Sequence, residues 1–408
     1  MASLAQLPMD TTRNQDCHQL ISWHVITCEY PPQCGGVSDY VHLVAKGLAS
    51  HGDDVHVWCP ASNGQAPQAV GVQVHASLGK FSILDLLAVG RRLDVFAGPR
   101  RLFVQWVPHG FGYKSLNLPF CLWLWLRAAR HGDEVDLMVH EPFLRFIPGQ
   151  WRQNAAAAVH RLMTRILLRS ARRVWLSTPI WEKLLRPYDW NRTRKYEWLP
   201  VPSTVPTVDD TTGRATLREC YNGVKILLGH FGTFGPSITL MLRAIIPPLL
   251  RATRNAAMIL IGPRSIDFRD QLLQDFPDLG GALFAIGQTD HPRLSLHLGA
   301  CDLLIQPYPD GVTSRRTSMM AALAHGRPTV TTSGPFTESI WESSGAAILT
   351  PAGDTEAFVE SARRLIENAD ARASLGAAGR ACYQRNFDIE HVVEMLRSSG
   401  RSVEEVGV

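Results

Sequence analysis

Charge is scarce in this chain. Of its 408 residues, 19% are Asp, Glu, Lys or Arg against 45% hydrophobic, and the formal net charge is only +4. That balance belongs to folded globular protein and excludes a disordered one. It gives no footing for nucleic acid, and zinc-finger spacings and RNA-binding aromatic signatures are missing too. The mild positive excess suits an anionic small ligand or an anionic membrane surface. No run reaches the roughly 18 to 20 apolar residues that span a bilayer. The longest, Leu116–Leu126, reads as a buried or surface-seeking helix. The eight cysteines, Cys17, Cys28, Cys34, Cys59, Cys121, Cys220, Cys301 and Cys382, form no C-x-x-C pair. A disulfide framework and a zinc site are disfavoured, and a reducing cytoplasm is the expected compartment. Residues 1–19 lack an apolar h-region and read as a flexible tail. Neither G-x-G-x-x-G nor Asp-x-Asp occurs, so a nicotinamide fingerprint and a metal-binding acid pair are both absent.

What is present is alternation. Short apolar strands fit Leu20–Thr27, Val55–Trp58, Leu102–Val107, Leu137–His140 and Val174–Ser177, then Ile226–Gly229, Ala257–Ile261, Leu303–Gln306 and Thr329–Thr332. Helical stretches fit between them, at Ser38–Ser50, Gln150–Arg172, Ser237–Ala252, Phe268–Asp275 and Thr317–His325. The pattern predicts an α/β protein of two doubly wound, Rossmann-like domains facing each other across a cleft. The chain is also longer than one core usually fills. The expected division is a domain at 20–205, a proline-bearing linker at 206–223, a second domain at 224–385 and a C-terminal helix within 386–408. That last helix could pack back on the first domain.

Several segments carry candidate chemistry. In Tyr30-Pro31-Pro32-Gln33-Cys34-Gly35-Gly36-Val37-Ser38, two glycines follow the first strand and open the first helix. Glycine permits close backbone approach, and a helix N-terminus offers free amides to an anion; a tight turn without a ligand is the other reading. His140 ends a strand, where side chains of an open sheet face the crevice. It could serve there or cap a loop, and His109 competes for the same role. Thr313-Ser314-Arg315-Arg316-Thr317 precedes an apolar helix, and its guanidinium forks match phosphate oxygens; two solvated arginines are the alternative.

The string Tyr30-Pro-Pro-x-x-Gly-Gly-Val-x-x-Tyr40, with Leu43, Leu48, Gly52 and Val55, resembles the N-terminal signature of glycosyltransferase family 4. Residues 300–328 are similar to the nucleotide-binding strand, loop and helix of that family. The resemblance implies a GT-B enzyme using a nucleotide-sugar donor with retention of configuration. With no Asp-x-Asp and with arginines to neutralise the diphosphate, no metal or other cofactor is expected. By the same resemblance Gly35 and Gly36 reach the donor phosphates and His140 contacts the donor sugar. The family's Gly-Arg motif and following lysine are replaced by Gly229-His230-Phe231-Gly232-Thr233. Gly232 and Thr233 then offer backbone and hydroxyl donors, while Arg315 and Arg316, with Thr317, supply the missing charge. Its two spaced glutamates are replaced by Thr313 and Ala321. Asp310 can stand in for the first, and Glu338 matches a glutamate after the next strand that could hold sugar hydroxyls or serve as a helix-start acid.

The acceptor is not named by these residues. Arg161, Arg165, Arg169, Arg172 and Arg173 stripe an amphipathic helix within 155–173. Such a helix can lie on an anionic membrane, or present an ordinary solvated face. A cytoplasmic enzyme, peripheral on the inner membrane face, is the consistent expectation. Two rival functions remain open: a GT-B phosphorylase or sugar-phosphate synthase, and a catalytically silent relative acting as a partner subunit.

Overall fold

The computed structural model describes residues 22–33, 35–62, 64, 69–98, 100–112, 115–221, 224–253 and 255–398. The expected tail at 1–19, Cys17, Cys34 and residues 399–408 lie outside them.

Two parallel sheets form the frame. The first runs β1 (Ser22–Ile26), β2 (Asp54–Cys59), β3 (Val72–Ala76), β4 (Arg101–Trp106), β5 (Glu134–Val139), β6 (Ala171–Leu176) and β7 (Tyr196–Trp198), in the spatial order β3-β2-β1-β4-β5-β6-β7. The second runs β8 (Ile226–Phe231), β9 (Ala256–Ile261), β10 (Leu283–Gly287), β11 (Leu303–Gln306), β12 (Thr329–Ser333) and β13 (Ile348–Pro351), in the order β10-β9-β8-β11-β12-β13. Helices cover both faces, so central strands are apolar throughout rather than alternating. Every residue of β4 and of β9 is buried.

In each sheet the order reverses beside the first strand, between β1 and β4 and between β8 and β11. A crevice opens at such a reversal outside the strands' carboxyl ends. The two sets of carboxyl ends face each other. Thr178, just beyond β6, donates its hydroxyl to Glu338, which follows β12, at 2.6 Å.

The connections depart from simple coil. Within 206–223, expected as a linker, Asp210 caps a helix at Thr211–Glu219 by accepting from the Gly213 amide at 2.7 Å. Arg218 of that helix bonds the Ala300 carbonyl and Asp302, which fastens it to the second domain. After the helix Ala369–Asn386, the helix Ile389–Ser398 lies on Gly36–Ser50 of the first domain. Val392, Val393 and Leu396 join Trp23, Val25, Tyr40 and Val44 in one core cluster. Gly47 permits the approach, because a Cβ there would run into Val393.

The basic helix extends over Trp151–Ser170; Arg165 and Arg169 of its stripe are exposed, while Arg161 is half-buried. Arg161 donates to the Leu144 and Ala157 carbonyls and to the Tyr188 hydroxyl. Arg172, beyond the helix in β6, pairs with Glu134 and Asp136.

Candidate active site

The first-domain side is built from the loops after β1, β5 and β6. Gly35 and Gly36 open the first helix, but its leading amides already hold an anion. Glu29 Oε1 accepts from Val37 N at 3.1 Å and Ser38 N at 3.0 Å. A Cβ on Gly35 would meet that carboxylate, whereas one on Gly36 would meet open space. Of the two glycines, only Gly36 therefore leaves its Cα side open to a ligand.

His140 follows β5 and is buried. Its Nε2 lies 3.0 Å from Gln105 Oε1, and its ring stands edge-on to Tyr40 at 4.9 Å. Burial pushes its pKa down to about 3, so near neutral pH it is an uncharged hydrogen-bonding ring. His109 is exposed, 3.6 Å from Glu141 Oε2. The other oxygen of Glu141 lies 3.6 Å from Arg315 Nη1.

The second-domain side is built from the loops after β8, β9, β11 and β12. Gly232 donates its amide to the Ile261 carbonyl at 3.1 Å. Thr233 offers its carbonyl to Arg264, which donates from Nε at 3.2 Å and Nη2 at 2.8 Å. Arg264 adopts a left-handed backbone, with φ of 65°, and places a cation against the very loop that lacks one. Sequence reading missed it, since its signal is only a Gly-Pro-Arg turn after an apolar strand. His230 donates from Nδ1 to the Ile305 carbonyl at 2.7 Å. Its buried Nε2 has no partner, and burial lowers its pKa to about 4.

The arginine loop lies at the β8/β11 reversal. Arg315 sits 5.3 Å from the Trp181 ring centroid and Arg316 4.8 Å from that of Tyr308. Three atoms of this loop, Thr313 Oγ1, Arg315 Nε and Arg316 Nε, are buried without a hydrogen-bond partner. Burial, then the neighbouring Arg316, holds the Arg315 pKa below its ordinary value. Thr317 opens the helix Thr317–Ala324. Asp310, at the rim, lies 3.9 Å from Arg145 of the opposite domain. Glu338 is not free to hold sugar hydroxyls, because its carboxylate accepts from Thr178 Oγ1, Ser314 N, Ser314 Oγ and Trp341 Nε1. Its place is the joint between the domains. Among the described residues, no group of three or more His, Cys, Asp or Glu side chains could hold a metal ion.

Two paired crevices with a cationic loop on one wall agree with the comparisons. The sequence profile of Glycosyltransferase Family 4 matches residues 34–194, and that of Glycosyl transferases group 1 matches residues 225–368. The chain is a family 4-like glycosyltransferase. No curated protein matches it in sequence. Solved structures similar to this glycosyltransferase include sucrose-phosphate synthase from Thermosynechococcus elongatus. That match has a TM-score of 0.72 and 14% identity, over 95% of this chain and 100% of that one. Anabaena HepE in complex with UDP and glucose gives 0.68 and 14%, over 94% and 100%. A UDP-forming trehalose-phosphate synthase from Burkholderia xenovorans, with glucose-6-phosphate, gives 0.65 and 12%, over 93% and 99%. At such low identity these matches establish the fold, which is GT-B.

Proposed function

We propose that this glycosyltransferase moves a sugar from a nucleoside diphosphate donor to an acceptor hydroxyl, with retention of configuration and with arginines facing the departing diphosphate. The observation that carries the reading is the Thr313–Arg316 loop, with two neighbouring guanidiniums and three buried, unpartnered polar atoms. Like charges held together away from water raise the free energy of the site. A diphosphate relieves both by accepting paired N–H bonds in the guanidinium planes. The rings of Trp181 and Tyr308 favour those planes by cation–π attraction.

Negative charge grows on the diphosphate as its bond to the sugar breaks, so cations already in place lower the barrier. The acceptor oxygen joins the anomeric carbon from the face the diphosphate leaves, and its proton passes to the departing phosphate oxygen. Neutral His140 orients the donor sugar, and Asp310 holds its hydroxyls. Gly36 lets the donor approach the first helix, while Gly232 and Thr233 line the opposite wall. No cofactor takes part in this scheme. Retention follows the family resemblance, and a uridine donor is supported by HepE, whose solved complexes hold UDP and UDP-glucose.

Membrane contact belongs to the same proposal, through the exposed arginines of the basic helix and through the rim. Between Pro142 and Trp181 the sequence has seven arginines and no acid. At the acceptor side Leu144, Phe146, Ile147 and Trp151 are exposed beside Arg145 and Arg152. Apolar side chains flanked by cations suit an anionic lipid surface. No helix among the described residues is long and apolar enough to cross a membrane.

Calorimetry with UDP, GDP and ADP tests the donor site. Charge-assisted hydrogen bonds contribute about 1.5–3 kcal/mol each, so Arg315→Ala should weaken the preferred nucleotide roughly 10- to 100-fold. Unchanged affinity would remove the arginines from the site.

A further inference from the structure

The arginine loop is fastened to the opposite domain through the residue before Arg315. Ser314 donates to Glu338 Oε1 from its amide at 3.0 Å and from its hydroxyl at 2.7 Å. The same Oε1 accepts from Thr178 Oγ1 of the first domain at 2.6 Å, and Oε2 accepts from Trp341 Nε1 at 2.7 Å. Ser314 Oγ also lies 3.0 Å from the Ser177 carbonyl and accepts from Trp198 Nε1 at 3.1 Å, both first-domain residues. The hydroxyl has one proton, so Glu338 and Ser177 share it. Thr178 and Ser314 are fully buried. An aromatic group adjoins this network, with Trp341 stacked on Phe387 at 5.7 Å and Trp198 edge-on to Phe387 at 5.9 Å. Phe387 stands where the chain returns to the first domain.

We propose that Glu338, Ser314 and Thr178 form an interdomain latch that couples closure of the cleft to placement of the arginine pair. The proposal rests on Arg315 and Arg316 being the diphosphate site. Glu338 is half-buried, and a carboxylate so placed is tolerated when its lone pairs are filled. In the closed arrangement neutral donors from both domains fill them. Opening removes the Thr178 bond and parts Ser314 from Ser177 and Trp198, which frees the backbone carrying Arg315. The same opening draws Arg315 away from Glu141 and Trp181 on the far wall. An anion that needs both guanidiniums aligned therefore binds the closed state more tightly. By reciprocity it favours closure to the same degree. Glu338 is on this account a positioning residue, acting through Ser314.

Thr178→Val tests the latch, since it removes one hydroxyl while keeping the side chain's shape. Two quantities are read on the full chain, the radius of gyration by X-ray scattering and the affinity for UDP and for inorganic pyrophosphate by calorimetry. The ligand-free variant should be more expanded than wild type and bind both anions about tenfold more weakly, the cost of one hydrogen bond to a charged acceptor. Thr178→Ser, which restores the hydroxyl, should recover both values. Glu338→Gln, which puts a donor where an acceptor stood, should move both in the direction of Thr178→Val. Unchanged scattering in Thr178→Val overturns the latch, and expansion with wild-type affinity overturns the coupling. If wild type binds neither anion, the diphosphate reading falls instead, and the scattering comparison alone decides whether the latch stands.

Discussion

Gly35 matters for the side chain it leaves room for. Its backbone is extended, with φ of 178°, a conformation open to any residue, so strain is not the reason for glycine. The reason is the Glu29 carboxylate packed where a Cβ would go. Two charge-assisted bonds to the first helix depend on that space. Gly35→Ala should displace Glu29 and destabilise the fold by about 1–3 kcal/mol in denaturant titration. In a Glu29→Gln background the same change should cost clearly less, because the displaced group no longer carries charge; equal costs would separate the two residues. The sequence shows two glycines at a helix start, and that pattern fits an external anion as well as an internal one. Which one occupies the amides depends on a side chain folding back across Pro31-Pro32, and no spacing rule encodes that. Glu338 is similar. Its type and position are legible, but two of the residues that donate to it, Ser314 and Thr178, lie 24 and 160 positions away. Arg264, Thr178 and Ser314 each act through partners that are distant in sequence, so as single residues they form no motif.

At the scale of elements, the strands readable from sequence are the central ones. The four missed, β3, β7, β10 and β13, are the outer strands of their sheets. An outer strand has a neighbour on one side only, so its residues stay partly exposed and its apolar run is broken. No residue of β3 or β7 is fully buried, against all six in β4. The basic helix was legible in extent and in its exposed face, where Arg165 and Arg169 meet solvent; Arg161 folds back, onto its own helix and a neighbouring loop. The loop between β5 and that helix adds exposed apolar side chains to this basic segment. Phe146 is 53% and Trp151 72% exposed, and His160 ties the loop to the one after β4 by bonds to Leu144 N and the Ser115 carbonyl. If this rim meets lipid, the protein should sediment with phosphatidylglycerol vesicles and much less with phosphatidylcholine vesicles. A Phe146→Ser/Trp151→Ser double variant should lose several-fold of that binding, since each aromatic buries a large apolar area. Equal sedimentation of variant and wild type would discard the rim as a lipid contact.

Over the whole molecule, buried histidines set the response to acid. His24 is pushed down to about 3 by burial and then by His56, His140 to about 3 by burial, and His230 to about 4 by burial. In the unfolded chain each returns to its ordinary value near 6.5. Between those limits the unfolded state binds more protons, so stability is intact above pH 6.5 and falls as pH drops below it. Each group can contribute at most about 1.4 kcal/mol per pH unit within its window. The urea midpoint should therefore be clearly lower at pH 5 than at pH 7.5, with a smaller difference in His24→Gln. Equal midpoints in wild type would contradict the neutral, buried state of these rings.

The return of the last helix also bears on how the chain is made. Trp23, Val25, Tyr40 and Val44 are synthesised early, yet their cluster is completed by Val392, Val393 and Leu396. Domains ordinarily fold as they leave the ribosome, the N-terminal one first. Here the first domain emerges with an open apolar seam that closes only after the second domain has been translated, so the half begun first is finished last.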